Sequence, residues 1–294
     1  MMTITRTTLG GVLTASALMT VLAAPPVRAA QPNDNPSKNA RWQDFKEGMF
    51  KDRPVEMHGD AVIKLDAPAR AADASVVPIA ITAQFPQTPS RYIRKIYLFI
   101  DENPEPYAGS FEFTPDSGLA SIETRVRVED YTFMRVVAET NDGHLYSAVR
   151  FVKASGGCSA PVGKDDAAAE ASAGSVRLQA EGKTVADKPQ LVQLMVRHPN
   201  RTGMAMNQVT RLYASAYFVR KVMVSYADKP VMTADVNFSI SENPNFRFYF
   251  VPHASGVLKV RVQDTKNKEF DSQVAVNTGS GSPSSTQQTS STTP

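Results

Sequence analysis

Alternation of apolar and polar residues dominates this chain. At residues 122–128, Ile122, Thr124, Val126 and Val128 alternate with Glu123, Arg125 and Arg127, the pattern of a half-solvated antiparallel strand. Residues 76–85 place Ile79, Ile81, Ala83 and Phe85 on one face. Residues 93–100 are nearly continuously apolar and read as a central strand. Residues 133–138 and 145–152 come next, joined by the hairpin signal Asn141-Asp142-Gly143. The texture resumes at Val176, with candidate strands at 191–196, 218–226, 231–238, 246–251, 256–263 and 270–276. Before the strands, Trp42, Phe45 and Met49 recur at i, i+3 and i+7, which predicts a short amphipathic helix that docks Trp42 on the first strand-rich half.

Each half carries about seven short strands with regular turns, so the expected fold is all-β: two tandem immunoglobulin-like β-sandwich domains joined by a flexible linker, with a short N-terminal helix. The halves echo each other. Ile93-Arg94-Lys95-Ile96 aligns with Val219-Arg220-Lys221-Val222 at an offset of 126 residues, and the same offset sets Pro104 on Pro230 and Arg135 on Arg261. The expected organisation is residues 1–29 signal peptide, 30–59 N-terminal segment with the helix, 60–154 first sandwich, 155–174 arm and linker, 175–277 second sandwich, and 278–294 a polar tail too poor in apolar residues to fold alone.

The first 29 residues alter the charge picture. Arg6, an uncharged and largely apolar run from Leu9 to Ala24, and the small-residue pattern Val27-Arg28-Ala29 predict export by the general secretory route and cleavage before Ala30. This places the mature protein in the periplasm. The segment holds two basic residues and no acidic one, so the remainder keeps only +1 of the chain's formal charge of +3. That balance gives no reason to expect a nucleic-acid or membrane partner.

The chemistry census is short. No phosphate-binding glycine loop, HExxH helix, CxxCH haem site or GxSxG elbow is present. The four histidines (His58, His144, His198 and His253) lack ligand spacing, so no metal or other cofactor is expected, and no catalytic residues are assigned. One cysteine stands out. Cys158 lies in Ser155-Gly156-Gly157-Cys158-Ser159-Ala160-Pro161, where the glycines give backbone freedom and little steric cover. With one cysteine the chain forms no internal disulfide, and an exported lone thiol is either reactive or incidental. Lys153 and Lys164 would lower its pKa, and Asp165 and Asp166 would raise it, so the residues alone leave the sign open.

A family resemblance adds to this. Residues 96–104, with their Asn103-Pro104 turn, then Arg125-Val126-Arg127-Val128, Asp142-Gly143-His144-Leu145-Tyr146 and the run from Val152 to Cys158 resemble the SoxY subunit of the sulfur-oxidation carrier, in order. His198-Pro199-Asn200-Arg201-Thr202-Gly203, Ser241-Glu242-Asn243-Pro244 and the closing strands resemble its partner SoxZ. The arrangement is similar to the fused SoxYZ-like carriers associated with quinoprotein dehydrogenases.

The resemblance implies a non-enzymatic carrier. Cys158 would hold a small sulfur species covalently, Gly156 and Gly157 would give the arm its flexibility, and sulfur-oxidation or quinoprotein dehydrogenase enzymes of the periplasm would be the partners. The loop with His198, Pro199, Thr202 and Gly203 would be either structural or partner-facing. Two features depart from the family pattern: Ser159-Ala160-Pro161 and a whole domain come after the cysteine, and Asn200-Arg201 occupy the middle of the loop. The competing expectations are an accessory interaction module for such a dehydrogenase and an enzyme in its own right, the latter disfavoured by the missing acid–base constellation.

Overall fold

The computed structural model describes residues 29–161, 166–206, 211–278 and 292–293. All but the last residue of the expected signal peptide, together with Lys164, Asp165 and nearly all of the tail, lie outside the described residues. Helix α1 (Ala40–Phe50) is capped by the Asn39 side chain, which accepts from the Trp42 amide. It leads to a short strand β1 (Val55–Met57) and then to two matched sets of seven strands. The first set is β2 (Ile63–Asp66), β3 (Val77–Ala83), β4 (Ile93–Ile100), β5 (Tyr107–Phe113), β6 (Ser121–Val126), β7 (Thr132–Thr140) and β8 (Leu145–Val152). Helix α2 (Asp166–Ala171) separates it from β9 (Val176–Ala180), β10 (Gln190–Val196), β11 (Val219–Tyr226), β12 (Lys229–Val236), β13 (Asn245–Phe250), β14 (Gly256–Asp264) and β15 (Glu269–Val276).

The strands arise from the alternation. In β3, Val77, Ile79, Ile81 and Ala83 turn inward, and in β13 Phe246, Phe248 and Phe250 do the same. β4 lies between β7 and β5, the central position its continuous apolar run predicts. The hairpin β7–β8 turns through Thr140–Leu145 with Gly143 at positive φ.

Both sheets run through both halves. One has the order β1-β8-β7-β4-β5-β12-β11-β14-β15, extended at its end by Thr292–Thr293, and the other β2-β3-β6-β13-β10-β9. Apart from β1 and that terminal pair, the orders are palindromic: each strand of the first set faces its counterpart in the second across β5–β12 and β6–β13. β5 pairs β12 antiparallel, with Phe111 opposite Ala234 and Phe113 opposite Met232. β6 pairs β13, with Glu123 opposite Arg247. The sandwiches thus join edge to edge into two continuous layers around one apolar core, in which Phe111 of the first half meets Phe246 of the second at 6.4 Å. Joining them also covers four strand edges that would otherwise be open for aberrant pairing. The offset of 126 starts β4 and β11 on equivalent residues, but Arg135 and Arg261 differ in role. Arg135 is fully buried against Asp101 and stacks under Trp42 at 4.5 Å, whereas Arg261 is exposed and pairs with Asp271.

α1 covers the outer face of β4 and β7. Trp42 packs edge-on against Phe99 at 5.5 Å and is buried, as its docking role predicts. Phe50, and not the expected Met49, completes the apolar face; Met49 stays exposed. The helix stops at Lys51, which has positive φ, and its last turn directs Phe50 onto Tyr97.

Candidate functional site

The junction between the halves is where the chemistry-bearing residues meet. After β6 the chain runs through Arg127, Val128 and Glu129. A buried amide from the Asn103-Pro104 turn holds this stretch: Asn103 donates to the Arg127 carbonyl at 2.9 Å and to the Ser239 hydroxyl at 3.2 Å, and accepts from the Glu129 amide at 2.9 Å. Ser239 belongs to the second half, so one asparagine ties both halves to the same stretch. The Arg127 guanidinium crosses the junction and donates to the carbonyls of Phe238 at 3.0 Å and Ile240 at 2.5 Å.

The segment with Cys158 lies along this stretch. The Gly156 amide donates to the Glu129 carbonyl at 2.8 Å, and the Gly157 amide to the Val128 carbonyl at 2.9 Å. The Glu129 carboxylate then accepts from the Cys158 amide at 2.7 Å, the Ser159 amide at 3.1 Å and the Ser159 hydroxyl at 2.7 Å. From the other side, the Thr202 hydroxyl donates to the Cys158 carbonyl at 2.7 Å. Thr202 is thereby the residue of the His198–Gly203 loop that meets the cysteine segment directly.

This packing differs from the free, exposed tether that the glycines suggest. Cys158 is 1% exposed. Gly157 is needed for contact as much as for freedom, because a Cβ there would lie 2.1 Å from the Ala74 carbonyl oxygen. Gly156 takes a positive φ of 80° with open space around it, so only the turn requires glycine at that position. The structure therefore holds the cysteine segment docked under the second half.

Burial sets the electrostatics of the thiol. It pushes the Cys158 pKa up to about 12, with the Glu129 carboxylate adding to the rise and Arg127 opposing it. The sign left open by the flanking charges is therefore upward, and its causes are groups brought from elsewhere in the fold. Docked, the thiol is protonated at neutral pH and is a poor nucleophile. Burial also lowers the Arg127 pKa, an effect that charge on Cys158 would oppose. Beside the cysteine lies a cavity of about 90 Å³, lined by Arg127, Pro199, Arg201, Thr202 and Glu242 among others. It is large enough for a few solvent-sized groups and is bordered by two guanidiniums.

The remaining loop residues hold the loop in place. His198 is fully buried; its Nδ1 accepts from the Asn200 amide at 3.1 Å, and its ring packs on Tyr217 at 4.3 Å. Tyr217 donates to Asp264 at 2.8 Å, and His198 Nε2 lies 3.7 Å from the same carboxylate. Asn200, also fully buried, donates to the Ile240 carbonyl and accepts from the Val219 amide. Pro199 lines the cavity, and Gly203 closes the loop at φ 86° against Ala216. Arg201 pairs with Glu170 of α2 at 2.6 Å, and Lys266 pairs with the same glutamate, which holds its pKa down at about 2. The loop thus has a structural basis in the second half and meets the cysteine segment through the Thr202 hydrogen bond.

Nothing in the sequence assigns a site role to Arg127, Glu129 or Asn103. Arg127 carries the outward phase of a strand that reads as half-solvated, and only the second half buries it. Among the described residues, no group of three or more His, Cys, Asp or Glu side chains is arranged to hold a metal ion, and no helix is long and apolar enough to cross a membrane.

Comparisons with known proteins divide the chain in the same way. A family model described as sulfur oxidation protein SoxY matches residues 46–158, ending on Cys158, and one described as sulphur oxidation protein SoxZ matches residues 177–275. A search among curated proteins finds no match. Among solved structures, the sulfur carrier protein SoxY from Chlorobium limicola f thiosulfatophilum is similar at 25% identity, over 39% of this chain and 91% of that one, with a TM-score of 0.31. A superoxide reductase (neelaredoxin) from Ignicoccus hospitalis is similar at 16% identity, over 34% and 94%, with a TM-score of 0.30. Neither superposes closely enough to carry an argument.

Proposed function

A SoxY domain followed by a SoxZ domain in one polypeptide makes this chain a fused SoxYZ-like sulfur-oxidation carrier, and from that premise we propose that Cys158 is the residue that carries the sulfur. The observation that supports this reading is the docked segment itself. The chain's one thiol stands at the junction of the two domains, under a carboxylate clamp and beside an arginine-lined cavity. Such an arrangement has two states. Docked, the thiol is protonated and shielded. Released, its pKa returns toward that of a free thiol, about 8.5, and a few per cent is thiolate at neutral pH.

In the released state, joining thiosulfate to the thiolate forms one S–S bond and breaks none. The thiol proton goes to water, and the electron pair set free passes to an oxidoreductase partner. Thiosulfate stands here for the class of sulfur species with a nucleophilic terminal sulfur. Unloading is thiol–disulfide-type exchange at the same bond. Partner enzymes of the periplasm would bring the oxidant, with quinoprotein dehydrogenases among the candidates. The N-terminal 29 residues would direct the chain to that compartment. The attached second domain shortens the reach of the segment, so a partner would have to approach the junction.

The test is intact-protein mass spectrometry after incubation with thiosulfate and ferricyanide as the electron acceptor. A single thiosulfate-sized mass gain, reversed by a thiol reductant and absent from Cys158→Ser, supports the reading. An unmodified wild-type chain, even when Glu129→Ala releases the clamp, contradicts it and favours an accessory interaction module.

A further inference from the structure

On the outer face of the six-stranded sheet, three arginines surround one groove and have no partner among the described residues. Met195 of β10 is paired with Arg177 of β9 on one side and with Asn245 of β13 on the other. Beyond the Glu123–Arg247 pair β6 changes register: the Arg125 carbonyl accepts from the Ser241 amide at 3.0 Å, and Val126 bridges Ile240. Arg177, Met195 and Asn245 thus form one row across the sheet, and Arg125 of β6 borders the same groove. The outer strands of that row are about 10 Å apart by strand spacing. The Arg125 and Arg177 side chains line the groove together with Met195 and Asn245. Arg197, just beyond β10, and Asn243 also line it, and the groove holds about 390 Å³.

The charge here is unbalanced in a way that the adjoining row is not. Arg247, one row over, is neutralised by Glu123 at 2.6 Å and Glu181 at 2.8 Å. Arg125, Arg177 and Arg197 make no side-chain hydrogen bond or ion pair with any described residue, and no carboxylate lines the groove. Guanidinium forks bind tetrahedral oxyanions bidentately, and asparagine amides add neutral donors. Unpaired like charges around one space repel one another until an anion enters, which favours a dianion over a monoanion.

We propose that this groove is a noncovalent binding site for a tetrahedral dianion, a sulfur or phosphorus oxyanion. The site is separate from Cys158, although Arg197 and Asn243 lead directly into His198, Pro199 and Glu242 beside the cysteine cavity. The proposal does not depend on the carrier reading, because no step at the thiol is involved.

The test uses the full chain carrying Cys158→Ser, so that covalent capture is excluded. Sodium thiosulfate, sulfate and phosphate are titrated by calorimetry at ionic strength held constant with sodium chloride, with nitrate as the monoanion control. Saturable binding at one site with a Kd of about 1 mM or tighter is expected for at least one dianion, and the dianion preferred identifies the source. Arg125→Gln and Arg177→Gln should each weaken binding at least about tenfold, the loss of a charge-assisted bond. Arg247→Gln, on the same face but already neutralised, should leave binding unchanged. Circular dichroism checks that each variant is folded, and Arg197→Gln replaces any that is not. No saturation with any dianion, equal binding of nitrate, or undiminished binding by the arginine variants would overturn the proposal.

Discussion

Removing the Glu129 carboxylate should expose Cys158. In the docked state that carboxylate accepts three hydrogen bonds, from two amides and a hydroxyl of residues 158 and 159. Hydrogen bonds to a charged group contribute about 1.5–3 kcal/mol each when well buried. These lie toward the surface, where water competes, so about 1 kcal/mol each is the better figure. Glu129→Ala should then shift the docked–released equilibrium by about 3 kcal/mol, or about two powers of ten in released population. The substitution also removes the negative charge that helps hold the thiol pKa up, so both effects have the same sign. The assay is the rate of iodoacetamide alkylation under native conditions, measured by intact mass. Wild type should react far more slowly than a free thiol, and Glu129→Ala about a hundredfold faster than wild type. A rate within about twofold of wild type, in a variant with unchanged circular dichroism, would refute the clamp.

The same geometry predicts two more outcomes. Thr202→Val removes the single hydroxyl that the second half donates to the Cys158 carbonyl; alkylation should rise about five- to tenfold, one ordinary hydrogen bond's worth, and no change would detach that loop from control of the cysteine. The pH dependence carries the sign of the raised pKa: docked Cys158 keeps its proton up to about pH 12, whereas the unfolded chain loses it near about 8.5. The docked thiol therefore favours folding fully below about pH 8.5, and wild type should lose stability relative to Cys158→Ser as pH rises from there toward 12, measured by urea melts; a constant difference across that range would contradict the burial.

The sheets were legible because burial imposes a period of two, and runs such as Ile122 to Val128 and Phe246 to Phe250 record it directly. The helix was legible through Trp42 and Phe45, though its last turn redirects Phe50 inward in place of Met49. The joining of the halves was not legible. An edge strand that pairs across a junction alternates like one that faces water, so Arg127 carries the same signal as Arg125, yet one is buried and the other half-exposed. The same limit hid the state of Cys158. Gly156 and Gly157 signal permissive backbone, but Gly157 is required by a close approach to Ala74, and the residues that enforce it lie far off in sequence. Asn103-Pro104 stood out by resemblance; its task of holding the Arg127–Glu129 stretch is visible only in three dimensions.

The central claim is that Cys158 carries sulfur, and the most direct measurement is the intact mass of the chain isolated from its native host without reductant. The account predicts a fraction of molecules heavier by a sulfur-containing group, mapped by peptide analysis to Cys158 and removed by dithiothreitol. Material that is uniformly unmodified at Cys158, from cells actively oxidising thiosulfate, would contradict it.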